Sequence, residues 1–84
     1  MATSSNTFRL VIASVSETRF DGAAVSATLP GSGGDFTLLS RHEPFVSTLK
    51  EGKIMVRQSG GTNKEFQISG GVVECSGDKA VVLL

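Results

Sequence analysis

The last part of the sequence contains three short apolar stretches separated by glycines, FQISGGVVECSGDKAVVLL over residues 66–84. Polar and apolar side chains alternate before and after the glycine pair, which is the period of two expected of a β-strand with one buried face. Gly70-Gly71 and Gly77-Asp78 supply turn residues between the stretches. The segment therefore predicts consecutive short β-strands joined by tight turns.

The same pattern of glycine turns between short apolar stretches extends over the 84 residues. The sequence has ten glycines, spaced between stretches rich in Val, Ile, Phe and Thr. Regular turns between short strands are typical of an all-β sandwich or barrel, and no stretch of ten or more residues has helical apolar spacing. We predict a flexible N-terminus, 1–7, and one domain, 8–84. This domain is a flattened β-sandwich or barrel of nine to ten short, mostly antiparallel strands. The predicted strands are Phe8–Ala13, Glu17–Phe20, Ala24–Leu29, Asp35–Leu39, Phe45–Leu49, Lys53–Gln58, Lys64–Ser69, Val72–Cys75 and Lys79–Leu84, with Asp21-Gly22 as the turn between the second and the third.

Alternation within these strands also predicts the core. The inward-facing side chains are expected to include Ile54, Val56, Phe66, Ile68, Val73 and Cys75. The last strand differs, because Val81 and Leu83 are apolar although they face away from Ala80 and Val82. Since a strand that is apolar on both faces is covered on both, we expect another subunit, or a further piece of the protein, over Val81 and Leu83.

Charge and cysteine content exclude several classes of protein. Eight basic residues balance eight acidic ones, so the basic surplus of a nucleic-acid binder or of a polybasic membrane tether is missing. Cys75 is the only cysteine, which excludes an internal disulfide. The first apolar run, Phe8–Ala13, is too short for a signal sequence or a membrane span. A domain of this size buries only roughly 60–65% of its unfolded surface, so a permanent partner would stabilise it.

Four groups of residues occur in a fixed order along the chain. They are Phe8–Ile12 with Phe20-Asp21-Gly22, then Leu29–Phe36, then His42-Glu43-Pro44 continuing to Leu49–Gly52, and finally Phe66–Glu74 followed by Ala80–Leu83. In order and spacing they resemble the epsilon subunit of F-type ATP synthases (delta in mitochondria). The β-sandwich of that family carries a P-G-x-x-G-D/E loop, an H-x-P corner, a K-x-G turn and an S-G-G-x-x-E strand.

The sequence departs from the family at two places. Ser40-Arg41 replaces the usual Pro-Gly before the histidine, which adds a positive charge there. The family usually continues into a C-terminal helical hairpin, which is absent from this sequence, so we do not carry over the inhibition or the ATP binding that the hairpin performs in relatives.

The resemblance implies a non-catalytic rotor subunit of the central stalk, which couples the gamma subunit to the c-ring in proton-driven ATP synthesis. It implies a position peripheral to the membrane on the cytoplasmic face, with contact with the membrane only through the complex. The uncharged start of the sequence, without an arginine-rich amphipathic stretch, favours a bacterial inner membrane, with a plastid thylakoid as the alternative. No cofactor, metal or nucleic acid is expected. The family's c-ring contacts fall on Ser32, Gly33, Gly34, Asp35, Arg41, His42 and Glu43. Its gamma contacts fall near Ser14, and we add Val81 and Leu83 because of their apolar outer face.

Other interpretations of the same residues are weaker. A metal site at His42 would have only Glu43 and Asp35 nearby in sequence, and a Ser40-His42-Asp35 triad lacks the G-x-S-x-G turn. The loop at 30–34 lacks the G-x-x-x-x-G-K-S/T pattern of a phosphate site. On the simplest interpretation, the charges of Asp35 and Arg41 are solvated loop charges. The alternative function is a free-standing β-sandwich binding module, although the absence of Trp and Tyr argues against a glycan ligand.

Overall fold

The computed structural model describes residues 7–40 and 43–84. In these two ranges the chain forms nine β-strands and one short 3-10 turn, so the all-β prediction is confirmed. The strands are β1 (Phe8–Ala13), β2 (Thr18–Ala24), β3 (Ser26–Gly31), β4 (Gly34–Leu39), β5 (Phe45–Leu49), β6 (Gly52–Arg57), β7 (Asn63–Ile68), β8 (Gly71–Ser76) and β9 (Lys79–Leu83), and the 3-10 turn is Ser59–Gly61.

The strands form one curled sheet in the order β2-β1-β9-β8-β5-β3-β6-β7, with β4 paired to the free side of β3. The sheet folds over between β5 and β3, which share a single pair, Gly31 and Leu49. This fold places β2-β1-β9-β8-β5 in one half of a sandwich and β4-β3-β6-β7 in the other. The β1–β9 pair is parallel and the other pairs are antiparallel, as the prediction of mostly antiparallel strands required.

The core lies between the two halves and is built by strand alternation. Each strand contributes its inward side chains, and the largest fully buried ones are Leu10, Ile12, Leu29, Ile54, Val56, Val73, Val82 and Cys75. The predicted inward positions are confirmed, with Ile68 also buried and Phe66 partly buried against the cluster. No polar or charged residue of the described chain is buried, so the domain is held mainly by apolar burial and by the backbone ladder.

The predicted Asp21-Gly22 turn is wrong, because both residues lie within β2 and pair with β1. The Asp21 carboxylate accepts two hydrogen bonds from Arg9 of the neighbouring strand, and this cross-strand pair favours an extended backbone over the turn. The chain bends instead at Val25, whose N–H donates to the carbonyl of Arg57 at 2.7 Å. A long-range strand partner therefore overrides the local turn signal.

The predicted flexible N-terminus, 1–7, lies outside the described residues except for Thr7. Within the described ranges, no helix has both the length and the apolar character that a membrane span requires.

Candidate partner-binding surfaces

One outer surface of the sandwich is apolar across several strands. Val81 pairs with Val11 on one side, and Leu83 pairs with Ala13 on the same side and with Val72 on the other. These residues alternate with buried neighbours, so they lie on the face opposite the core. We call the following set the apolar face: Val11, Ala13, Val46, Val72, Val81 and Leu83.

The most exposed members of the apolar face are large side chains. Val46 is 66% exposed, Leu83 57% and Val72 39%. A group of exposed apolar side chains on neighbouring strands is a candidate interaction site. The outer side of β9 is apolar, as predicted, and the neighbouring strands β1 and β8 add apolar residues to the same face.

The predicted gamma residues meet at one end of this face. Leu83 pairs with Ala13, which immediately precedes Ser14, and Val81 lies two residues back along β9. Ser14 closes a turn in which its N–H donates to the carbonyl of Glu17 at 2.8 Å. Whether a gamma subunit touches these residues stays a prediction. The predicted gamma set did not include Val46 and Val72. Both could have been recognised in the sequence as apolar residues at outward strand positions.

Charged residues border the apolar face on the side of β2. Arg9 donates from Nε and Nη2 to the two carboxylate oxygens of Asp21, both at 3.0 Å. This hydrogen bonding lowers the pKa of Asp21, helped by the positive charges of Arg9 and Lys79, and the same bond raises the pKa of Arg9. This bidentate contact helps to fix the register of β1 against β2.

The second candidate surface is the tip of the β3–β4 hairpin, where Ser32 and Gly33 form a two-residue loop. The hairpin tip is bound to β5: the Ser32 N–H donates to the Thr48 carbonyl at 3.0 Å, and the Thr48 hydroxyl donates to the Ser32 hydroxyl at 2.9 Å. Gly33, Gly34 and Asp35 are exposed beside it. Gly34 has φ of +133°, which favours glycine. This tip is therefore a small, firmly attached projection.

Of the remaining predicted c-ring residues, only Glu43 can be placed relative to this tip. Arg41 and His42 lie outside the described residues. Glu43 is exposed and precedes the start of β5, whereas Ser32 is bound near the end of that strand. A partner that touched both Ser32 and Glu43 would have to extend along β5. The structure leaves the c-ring set as a prediction.

The described ranges also hold potential metal ligands and one thiol, that of Cys75. Residues 7–40 and 43–84 contain no group of three or more His, Cys, Asp or Glu that could hold a metal ion. Cys75 faces the core as predicted, and burial raises the pKa of its thiol to about 11, with a smaller contribution from the negative charge of Glu74. A thiol that stays protonated is a poor nucleophile.

Residues 7–84 match the family described as ATP synthase, Delta/Epsilon chain, beta-sandwich domain. The ATP synthase epsilon chain of Chlorobium limicola is 37% identical over 83 residues, which covers 99% of this chain and 94% of that relative. The epsilon chain of Chlorobaculum tepidum is 39% identical over 83 residues with the same coverage.

Two solved structures share the fold at lower identity. A chain of the Euglena gracilis mitochondrial ATP synthase, solved by cryo-EM as an OSCP/F1/c-ring assembly, has a TM-score of 0.87 at 20% identity and covers 98% of this chain. A chain of the Tetrahymena thermophila mitochondrial ATP synthase central stalk and c-ring has a TM-score of 0.73 at 13% identity and covers 89%. This chain spans 52% and 60% of those two chains. The family match over residues 7–84 and the identity with bacterial epsilon chains place this chain in the ATP synthase delta/epsilon family, to which it belongs as a β-sandwich domain.

Proposed function

We propose that this chain is a rotor subunit of the ATP synthase central stalk, where it couples the gamma subunit to the c-ring during proton-driven ATP synthesis. It catalyses no step itself and takes part through its surfaces. The observation that carries the proposal is the apolar face on a domain of this family. Relatives of nearly the same length are ATP synthase epsilon chains, and the chains of similar fold come from F1, central-stalk and c-ring assemblies.

The gamma subunit is the proposed occupant of the apolar face. Burying a Val or Leu side chain fully contributes about 1.5–3 kcal/mol relative to leaving it exposed. Val46, Val72 and Leu83 are partly exposed, so covering them would supply a part of the binding energy, and the rest would come from the wider interface. Ser14 would lie at the rim of that contact, beside the fully exposed Val15.

The c-ring is the proposed partner of the hairpin tip at Ser32–Asp35, together with Arg41, His42 and Glu43. A loop of Ser and Gly lets a flat partner approach the backbone closely, because glycine has no side chain to obstruct it. Charges such as Asp35 and Glu43 would set register and partner choice more than affinity. This arrangement holds the protein at the cytoplasmic side of a bacterial inner membrane through the complex, with no contact of its own with lipid or nucleic acid.

The test is complex formation with the gamma subunit of the same genome, followed by size-exclusion chromatography. The wild type is compared with Val81→Asp/Leu83→Asp, and with Met55→Asp as the control. Met55 is 50% exposed but lies on β6, in the other half of the sandwich. We expect the wild type and Met55→Asp to co-elute with gamma and the double variant not to.

Two outcomes would count against the proposal. If the folded wild type forms no complex, the rotor role fails and the free-standing binding module becomes the better interpretation. If the double variant binds as well as the wild type, the gamma interface lies elsewhere on the domain. Far-UV circular dichroism on each variant separates loss of binding from loss of fold.

A further inference from the structure

A single carboxylate lies in the middle of the apolar face. Glu74 of β8 pairs with Val46 of β5 on one side and with Val81 of β9 on the other. Its side chain is on the outer surface, since Val73 and Cys75 on either side are buried. A negative charge thus interrupts a row of otherwise apolar side chains.

The Glu74 carboxylate has no partner within the described residues. Elsewhere on the outer surfaces, Asp21 is bound by Arg9 at 3.0 Å, and Glu65 lies 3.6 Å from Lys53. In residues 7–40 and 43–84, neither a hydrogen bond nor an ion pair reaches Glu74. In the domain without a bound partner, this exposed carboxylate is hydrated.

A hollow of about 280 Å³ lies beside Glu74, bounded also by Ser76, Lys79 and Val81. Val81 offers an apolar wall, while the carboxylate and the Ser76 hydroxyl offer hydrogen-bond acceptors. An arginine or lysine has the matching chemistry, because its stem is apolar and its head is a cationic donor. Lys79 lines the same hollow, and its charge also acts on Asp21.

Covering the apolar face removes Glu74 from water. Burying an unpaired carboxylate is costly, whereas a buried carboxylate hydrogen-bonded to a cation is tolerated. A partner that lacked a positive charge at this point would pay the full desolvation cost of Glu74. Any subunit that gains binding energy from the surrounding valines and Leu83 must therefore also satisfy this one acid.

We propose that the gamma subunit inserts one basic side chain, an arginine or a lysine, into the hollow beside Glu74, and that this contact selects the correct gamma surface. The proposal rests on the proposed function, which makes gamma the occupant of the apolar face. The valines and Leu83 then supply affinity, and Glu74 supplies discrimination, since a surface without the cation leaves the acid unpaired.

Two substitutions at the same position test the idea by titration calorimetry with purified gamma. Glu74→Gln keeps the size and removes the charge, and Glu74→Leu extends the apolar face. We expect both to weaken binding by about 30-fold or more, because each leaves the partner's cation buried without its counter-ion. Glu65→Gln, on β7 in the other half of the sandwich, is the matched control and should bind like the wild type.

The Leu variant separates charge recognition from plain apolar docking. If the face only needs apolar area, Glu74→Leu should bind as tightly as the wild type or more tightly, and this result overturns the proposal while leaving the gamma interface intact. If the wild type itself does not bind gamma, the proposed function fails, and the occupant proposed here fails with it. Equal urea midpoints for wild type and variants ensure that the change is in binding.

Charge reversal gives an independent check. Glu74→Lys should abolish binding to wild-type gamma, and one Lys→Glu or Arg→Glu variant from a scan of the gamma surface should restore it. Failure of every reversed gamma variant to restore binding would contradict a single opposing cation.

Discussion

Replacing Gly31 with alanine should strongly destabilise the domain, because the β3–β4 hairpin has no room for one more carbon at this position. A Cβ on Gly31 would lie 2.6 Å from the carbonyl oxygen of Gly34 and 2.7 Å from the nearest carbon of the Phe36 ring. The ring cannot simply turn away, since it packs edge-to-face on Phe45 with centroids 5.7 Å apart. Either the backbone of the hairpin or the aromatic pair has to move.

The expected cost follows from that crowding. Adding a methyl group to a well-packed site costs about 1–3 kcal/mol, and two contacts this short, one of them with backbone, favour about 2–3 kcal/mol. A domain of this length has a total unfolding free energy of roughly 4–13 kcal/mol at 0.05–0.15 kcal/mol per residue. For domains of this size, the loss corresponds to a fall in Tm of roughly 10–20 °C.

Urea unfolding followed by far-UV circular dichroism measures the effect, since the chain has no tryptophan for fluorescence. Gly33→Ala is the control in the same hairpin, because a Cβ there meets no atom within 4 Å. We expect Gly33→Ala to stay within about 0.5 kcal/mol of the wild type. Equal midpoints for Gly31→Ala and Gly33→Ala would refute the packing described for this hairpin.

Three further predictions concern the core, the Phe20–Phe66 contact between β2 and β7, and the Arg9–Asp21 pair at the rim of the apolar face. The Cys75 thiol, whose pKa burial raises to about 11, should react with a thiol reagent at pH 8 only as fast as the domain opens, and rapid labelling of folded protein would contradict its burial. Phe66→Leu should cost about 0.5–1.5 kcal/mol beyond its loss of buried area, because the edge-to-face contact with Phe20 at 5.8 Å is lost, and a double-mutant cycle with Phe20→Leu that gave no coupling would argue against that contact. Arg9→Gln should raise the pKa of Asp21, followed by NMR, since the hydrogen bond from Arg9 is the main cause of its lowering. Because that pKa is depressed in the folded state, the pair stabilises the fold at neutral pH and loses this effect as acid protonates Asp21, a loss that should be smaller in Arg9→Gln.

The strands and the inward residues could be predicted from sequence because their signal is local. Ile54 and Val56 in β6, and Val73 and Cys75 in β8, alternate with outward neighbours that are mostly polar, and burial of one face requires that period. The prediction failed at Asp21-Gly22, where local turn chemistry competes with a partner twelve residues away. The Arg9–Asp21 contact can be recognised only once β1 and β2 are known to pair.

Strand pairing itself had no local signal. The parallel pairing of β1 with β9 joins the two ends of the domain, and nothing in either strand specifies the other. The seam between β2 and β7 is likewise closed by distant side chains, with Arg19 donating to the carbonyl of Gln67 at 3.1 Å and lying over the ring of Phe66. These contacts depend on how the sheet curls, which the alternation of polarity does not determine.

The candidate surfaces likewise combine residues that one strand predicts with residues that only strand pairing brings together. Val81 and Leu83 could be predicted as outward and apolar from their own strand, whereas Val46 became part of the same surface only through its neighbours in space. The unpaired state of Glu74 is likewise a property of the assembled sheet, since it depends on which side chains flank it across β5 and β9.

The proposed coupling role places a mechanical demand on the short path between the two surfaces. Leu83 on the apolar face pairs with Val72, and Val72 pairs with Thr48. Thr48 in turn binds Ser32 at the hairpin tip through both its carbonyl and its hydroxyl, at 3.0 and 2.9 Å. A load applied at one surface therefore reaches the other across three hydrogen-bonded strands and one doubly bonded turn, without crossing a free loop. This path consists of paired strands and a doubly hydrogen-bonded turn rather than a flexible tether, which suits the proposed role of holding two partners in fixed register.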